Sequence, residues 1–224
     1  AEFGSAGATV SGNLGVGASL NGGWNSTYKA IQIGNAGAVW SEDASSSNTL
    51  ISNNVEDINK STHIILPGVG SFKASIDKIK KNLPLEMIID QITHKQKPLL
   101  GICVGMQVLA NIGFEFGESP GLNLIDGTVK KLETDKYPLP NIGWNCVTIE
   151  KKNILFKNLE KDNSFYFVHS FAFFPKNQNN IIGTSIYENK FVCAVQKENI
   201  FGVQFHPEKS QKSGIQLLKN FINL

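Results

Sequence analysis

Pro-Leu-Leu-Gly-Ile-Cys-Val-Gly-Met-Gln (98–107) is an apolar run that enters a Gly-x-Cys-x-Gly turn and leaves it with helical spacing. A buried strand handed to a helix through a tight elbow is a unit of layered α/β folds, and the residue at the elbow is Cys103. Gly101 and Gly105, two positions either side, remove the side chains that would crowd so sharp a turn. The first amides of the helix then point at the sulfur, and the positive end of its dipole favours thiolate over thiol. A small cysteine packed between strand and helix is the plainer alternative. The far end of the chain shifts the balance toward a nucleophile.

That end reads Ile-Phe-Gly-Val-Gln-Phe-His-Pro-Glu-Lys-Ser (200–210), a strand-like run closing on His206 with Glu208 two residues on. Cysteine attack on a carbonyl needs an imidazole to take the thiol proton and return it to the leaving group. The imidazole in turn needs a carboxylate to fix its tautomer. His206 and Glu208 supply both, with Pro207 stiffening the backbone between them.

Outward from the elbow the pattern alternates. A strand at 63–66 precedes Pro-Gly-Val-Gly, helical spacing follows at Phe72, Ile76 and Ile79, and Pro84 opens a second helix through Ile92. A further short strand is expected near 49–52. The second half is mostly short strands, at 128–132, 144–149, 164–169, 181–187, 191–196 and 200–205. It ends in an amphipathic helix with Ile215, Leu218, Phe221 and Ile222 expected inward. The fold class predicted is α/β, a doubly wound and mostly parallel sheet with helices on both faces and an antiparallel strand extension. Ligands then belong at the carboxyl ends of the parallel strands.

Composition narrows the function. The 224 residues, 41% hydrophobic, suffice for a sizeable core, and the net charge is only +2. Every basic residue is lysine, so no guanidinium fork exists for phosphate or guanine, and nucleic acid is not an expected partner. Cys103, Cys146 and Cys193 form no C-x-x-C pair and suit a reducing cytoplasm, with Cys146 and Cys193 read as packing residues. No apolar run of membrane-spanning length and no signal-peptide plan is present, so no membrane partner is expected. No metal or cofactor is implied. Residues 1–48 are rich in Gly, Ser, Ala and Asn and read as a linker, a tag remnant beginning Ala-Glu-Phe-Gly-Ser, or an atypical first βα unit with a strand at Tyr28 to Ile33 and a turn at Gly34-Asn35. Residues 49–224 form the predicted domain.

Five segments, in order, resemble the class I (triad-type) glutamine amidotransferases: Leu-Pro-Gly-Val-Gly-Ser-Phe (66–72), the Cys103 elbow, Asn-Ile-Gly-Trp-Asn (141–145), Phe-Tyr-Phe-Val-His-Ser-Phe (165–171) and Gly-Val-Gln-Phe-His-Pro-Glu-Lys-Ser (202–210). Within that family the chain is most similar to the glutaminase subunits of imidazole glycerol phosphate synthase. The resemblance implies a flavodoxin-like fold and hydrolysis of L-glutamine to glutamate and ammonia by a Cys103, His206, Glu208 triad. It implies backbone donors to the oxyanion at Gly68, Val69, Gly70 and Val104. Gln107, one helical turn past Cys103, and Glu115 are then substrate residues, Glu115 meeting the α-amino group. The backbone of His169, Ser170 and Phe171 would receive the α-carboxylate, with Phe171 standing where tyrosine is more usual. His169 is not the base, because the base must follow a strand beside Glu208, and His63 and His94 are read as structural or solvated.

Ammonia released into water at neutral pH becomes ammonium, a poor nucleophile, so the resemblance also implies a partner synthase docked over the site. Trp144, Asn145, Tyr166 and Lys209 are expected to face it. The partner is either a (β/α)₈-barrel cyclase of histidine biosynthesis or a sugar amidotransferase of surface-polysaccharide synthesis, since Asn141 stands where the histidine-pathway subunit usually has His. A γ-glutamyl peptide hydrolase with the same triad and a silent interaction module are the remaining alternatives.

Overall fold

The computed structural model describes residues 52–159 and 163–224. The segment 1–48, its strand at Tyr28 to Ile33, and residues 49–51 of the next expected strand lie outside the described residues. In chain order the elements are α1 (Val55–Lys60), β1 (Ile64–Gly68), α2 (Phe72–Asn82), α3 (Leu85–Thr93), β2 (Leu99–Cys103), α4 (Val104–Gln107), β3 (Ile112–Gly113), β4 (Ser119–Pro120), β5 (Gly127–Lys131), β6 (Asn141–Cys146), β7 (Thr148–Ile149), β8 (Ser164–His169), β9 (Phe171–Pro175), β10 (Ile181–Tyr187), β11 (Asn189–Lys197), β12 (Ile200–Val203) and α5 (Gln211–Ile222).

The central sheet runs β1-β2-β12-β11-β10-β7. Its first three strands are parallel, in register Leu66↔Gly101 and Gly101↔Gly202, and β11, β10 and β7 extend it in antiparallel fashion. All five residues of β2 are buried, as a strand covered on both faces must be. Alternation along the strands sorts side chains to two layers. Ile64, Leu66 and Leu99 meet Ile79 of α2 and Ile88 and Ile92 of α3 around a small apolar cavity. His63 and Phe201 meet Phe221 of α5 on the other face, at ring separations of 5.3 and 6.1 Å. The result is the α/β architecture the alternation predicted, with the parallel strand ends converging on one rim.

Local chemistry explains the helices around that rim. Ser71 caps α2 through Ala74 N–H at 3.4 Å, and Phe72, Ile76 and Ile79 bury at helical spacing. Pro84 stands immediately before α3, where a missing N–H costs no helical bond.

Several expectations need correction, among them the single strand at 144–149, which divides at Val147 into β6, paired with β8, and β7, paired with β10. The helix leaving the elbow is one turn of four residues, so its dipole is weaker than a full helix would supply. In α5 the buried residues are Gly214, Leu217, Asn220 and Phe221, with Leu218 and Ile222 packed half-buried against the core and Ile215 38% exposed. The shift arises because Gly214 packs against the Pro207 carbonyl and Asn220 donates to Leu155 and Lys157 carbonyls, rotating the helix away from the purely apolar stripe. Cys146 is exposed on β6, whereas Cys193 is fully buried, which pushes its thiol well up. The 200–205 strand ends its pairing at Val203. The helix α1 and the strand β9, which pairs with β5, were not expected.

Candidate active site

Cys103 ends β2 at φ 56° and ψ −114°, a conformation β-carbon-bearing residues avoid and that costs about 1–3 kcal/mol. The surrounding packing holds it there. A β-carbon on Gly105 would lie 1.6 Å from the Leu66 oxygen, and one on Gly101 would lie 2.5 Å from the Gly105 oxygen. Both glycines are therefore required for α4 to fold back over β1 and β2 and present the sulfur at the rim. Gly68 pairs with Cys103 across the β1–β2 ladder, which brings the loop 68–70 beside the elbow, and Val69 there is 64% exposed.

The strand next to β2 on its other side delivers the imidazole. Ile102 pairs with Val203, and the chain runs on through Gln204 and Phe205 to His206. Phe205 stacks on Phe165 at 4.0 Å and meets Phe167 edge-on, while His206 N–H bonds the Tyr166 carbonyl at 2.8 Å. Ser210, missed in the sequence, donates to the His206 carbonyl at 2.6 Å and accepts from Tyr166 N–H at 3.0 Å, tying the histidine to β8. His206 Nδ1 and Glu208 Oε1 are 2.6 Å apart. Burial pulls the imidazole down, but the neighbouring Cys103 sulfur and the Glu208 carboxylate outweigh it and push the group up to about 9. Nε2, on the sulfur side, is buried and completes no hydrogen bond, as does Glu208 Oε2.

A buried polar chain backs the sulfur. Gln107 Nε2 donates to the Phe171 carbonyl and to Gln204 Oε1, both at 3.0 Å, and Gln204 Nε2 lies 3.8 Å from Cys103 Sγ. The thiol itself points to the Val168 carbonyl at 3.9 Å. His169 shares the Phe171 carbonyl at 2.9 Å through Nδ1, which must carry the proton, and accepts at Nε2 from the Asn141 amide at 3.1 Å. Burial pulls His169 down to about 4, so it is neutral and fully engaged. Asn145 donates to Asn141 Oδ1 at 3.2 Å. Gln204 was overlooked because it sits inside an apolar strand pattern; a polar residue between Val203 and Phe205 was the available signal.

The remaining candidates fall into two groups. Glu115 is half-buried and accepts from Phe72 N–H at 2.7 Å, which sets it at the start of α2, next to the 68–70 loop. Ser170 links β8 to β9, its carbonyl accepting from Leu132 N–H at 2.8 Å. Trp144 and Tyr166 pair across β6 and β8 with rings 6.1 Å apart, and Lys209 Nζ stands 5.6 Å from the Tyr166 ring centre. With Ile142, 60% exposed, and Trp144, 46% exposed, they form an apolar and cationic patch. His94 is exposed against Asp90, and His63 packs on Phe221.

The profile of the family Glutamine amidotransferase class-I matches residues 25–224. A protein of Pelagibacter ubique described as imidazole glycerol phosphate synthase subunit HisH is 42% identical over 180 residues, spanning 79% of this chain and 86% of its own. One of Pyrococcus furiosus with the same description is 46% identical over 169 residues, spanning 75% and 84%. In three dimensions a Thermoplasma acidophilum structure, described as one subunit of a GMP synthase, superposes with a TM-score of 0.56 at 20% identity, covering 80% of each chain. A second, described as a glutamine amidotransferase, aligns at 0.56 and 15% identity over 76% of this chain and 84% of its own. These two show the shared fold.

Proposed function

Because the chain belongs to the class I glutamine amidotransferase family, we propose that it is the glutaminase subunit of an imidazole glycerol phosphate synthase, acting in histidine biosynthesis in the cytoplasm. The observation that carries the residue assignment is the meeting of Cys103, His206 and Glu208 at the ends of two adjacent parallel strands. His206 takes the Cys103 proton, and the sulfur adds to the amide carbon of glutamine. The oxyanion is held by the N–H groups of Val104 and the Gly68, Val69, Gly70 loop, each such donor being worth about 3 kcal/mol in the transition state. His206 then protonates the departing ammonia. The Glu208 carboxylate on Nδ1 favours the imidazolium that holds the proton between the two transfers. Water, deprotonated by the same ring, cleaves the γ-glutamyl thioester, releasing glutamate and restoring the thiol.

Substrate placement follows the same reading. Glu115 meets the α-amino group, the His169, Ser170, Phe171 backbone receives the α-carboxylate, and Gln107 lies beside the reacting amide. Ammonia must reach its acceptor unprotonated, and the patch of Trp144, Asn145, Tyr166 and Lys209 is assigned to a (β/α)₈-barrel cyclase that seals the site. A sugar amidotransferase partner is the second reading, favoured by Asn141 in place of a histidine. Glutamate release measured with and without a cyclase subunit tests both levels. The reading requires turnover that is lost in Cys103→Ser and raised by the cyclase. Turnover surviving Cys103→Ser would remove the triad assignment, and indifference to the cyclase would remove the pathway.

A further inference from the structure

We propose that Gln204 is a working part of the nucleophile: its side-chain amide donates to the Cys103 sulfur, and Gln107 and the Phe171 carbonyl dictate its orientation. The inference rests on the reading of Cys103 as the attacking group.

The orientation follows from what each atom is able to do. The Phe171 carbonyl only accepts, so the Gln107 atom 3.0 Å from it is the NH₂ nitrogen. That nitrogen has one proton left, and it lies 3.0 Å from the Gln204 side chain, which must answer with its oxygen. Gln204 therefore has only its own NH₂ to turn toward Cys103 Sγ, at 3.8 Å. Neither amide has freedom to flip. Gln204 is 0% and Gln107 3% exposed, and buried amides of this kind are held by their partners.

The sulfur is thus served in both protonation states. As a thiol it donates to the Val168 carbonyl at 3.9 Å. Once its proton has passed to His206 Nε2, that carbonyl offers nothing, and the Gln204 N–H becomes a charge-assisted donor to the thiolate. His206 and, behind it, Glu208 are the ionisable groups on the opposite side. In this step the S–H bond breaks and an N–H bond forms at His206 Nε2. Gln204 stabilises the product of proton transfer, and Gln107 acts through it as a positioning residue.

The test uses the full chain in a Cys146→Ser background, because that thiol is exposed. Alkylation of Cys103 by iodoacetamide is followed by peptide mass spectrometry across pH, alongside glutaminase kcat and KM and the thermal midpoint. Gln204→Glu keeps an oxygen for Gln107 and, when ionised, has no proton for the sulfur; Gln204→Met keeps neither. Both should slow alkylation at pH 7 by about 10- to 100-fold, the loss of one hydrogen bond to a charged group. Both should also move its pH midpoint upward and lower kcat with KM within about twofold. Wild-type alkylation in Gln204→Glu would reduce Gln204 to an anchor for Gln107 and overturn the proposal. Should the buried carboxylate unfold that variant, Gln204→Met decides alone, and an unchanged rate and pH midpoint there overturn it. Cys103→Ser separates the levels, since turnover surviving that change defeats the nucleophile assignment, whereas the alkylation rates read the Gln204 donor by themselves.

Discussion

The α-carbon of Gly105 faces the Leu66 carbonyl so closely that a β-carbon would sit 1.6 Å from its oxygen. Gly105→Ala must therefore push the α4 turn off β1 and carry Cys103 with it. The strained Cys103 backbone, at φ 56°, depends on that close approach. The expected outcome is destabilisation of about 1–3 kcal/mol by overpacking, read by urea unfolding, together with glutaminase activity at background.

Removing the orienter should separate rate from binding. Glu208→Gln keeps the size of the side chain but offers an amide where His206 Nδ1 now meets a carboxylate at 2.6 Å. Steady-state assays should show kcat lower by about 10²-fold or more with KM for glutamine little changed. An equal rise in KM would place Glu208 in substrate binding.

The two buried histidines bend the stability curve in opposite directions. His206 is raised from 6.5 to about 9, so its contribution is complete below pH 6.5 and is lost as pH climbs to 9. His169 is lowered from 6.5 to about 4, so the folded state loses ground as pH falls from 6.5 toward 4, where the unfolded chain binds the extra proton. Each limb is worth roughly 3 kcal/mol. Unfolding free energy measured across pH should peak between them. His206→Asn should flatten the alkaline limb and His169→Asn the acid one.

Helix α5 offers a test of register. Leu217 is fully buried and Ile215 38% exposed, although both look apolar in the pattern. Leu217→Ala should cost about 2–5 kcal/mol, and Ile215→Ala about 0.5 kcal/mol. Denaturant midpoints with unchanged slopes would check both.

If the exposed β6–β8 face receives a cyclase, Trp144 is its aromatic anchor, paired with Tyr166 and neighboured by Ile142. Trp144→Ala should weaken the complex by about 2 kcal/mol or more, measured by calorimetry. A Kd unchanged by the substitution would move the docking face elsewhere.

Much of this was legible from residue order. Strands 164–169 and 181–187 and the onset of α3 after Pro84 coincide with their sequence expectations because turn residues and alternation bound them sharply. Cys103, His206 and Glu208 could be singled out because each stands in a short motif. What escaped depends on contacts between distant segments. Gln204 and Ser210 gain meaning only when β12 lies against β2 and β8, and the rotation of α5 follows from Gly214 meeting Pro207, which no apolar periodicity encodes. Strand β9 was hidden because Phe171 to Pro175 carries aromatics at successive positions, blurring the two-residue period.

Loop 68–70, sulfur and imidazole come from three neighbouring rows of the same sheet, β1, β2 and β12. Rows in a sheet stand about 4.8 Å apart whatever their side chains, so the backbone lattice acts as a jig that spaces these parts. The β10–β11 hairpin, which turns at Glu188 on the far side of the sheet, lies outside those three rows, so changing its length leaves that spacing alone. An engineer seeking a new docking surface on this scaffold should cut there.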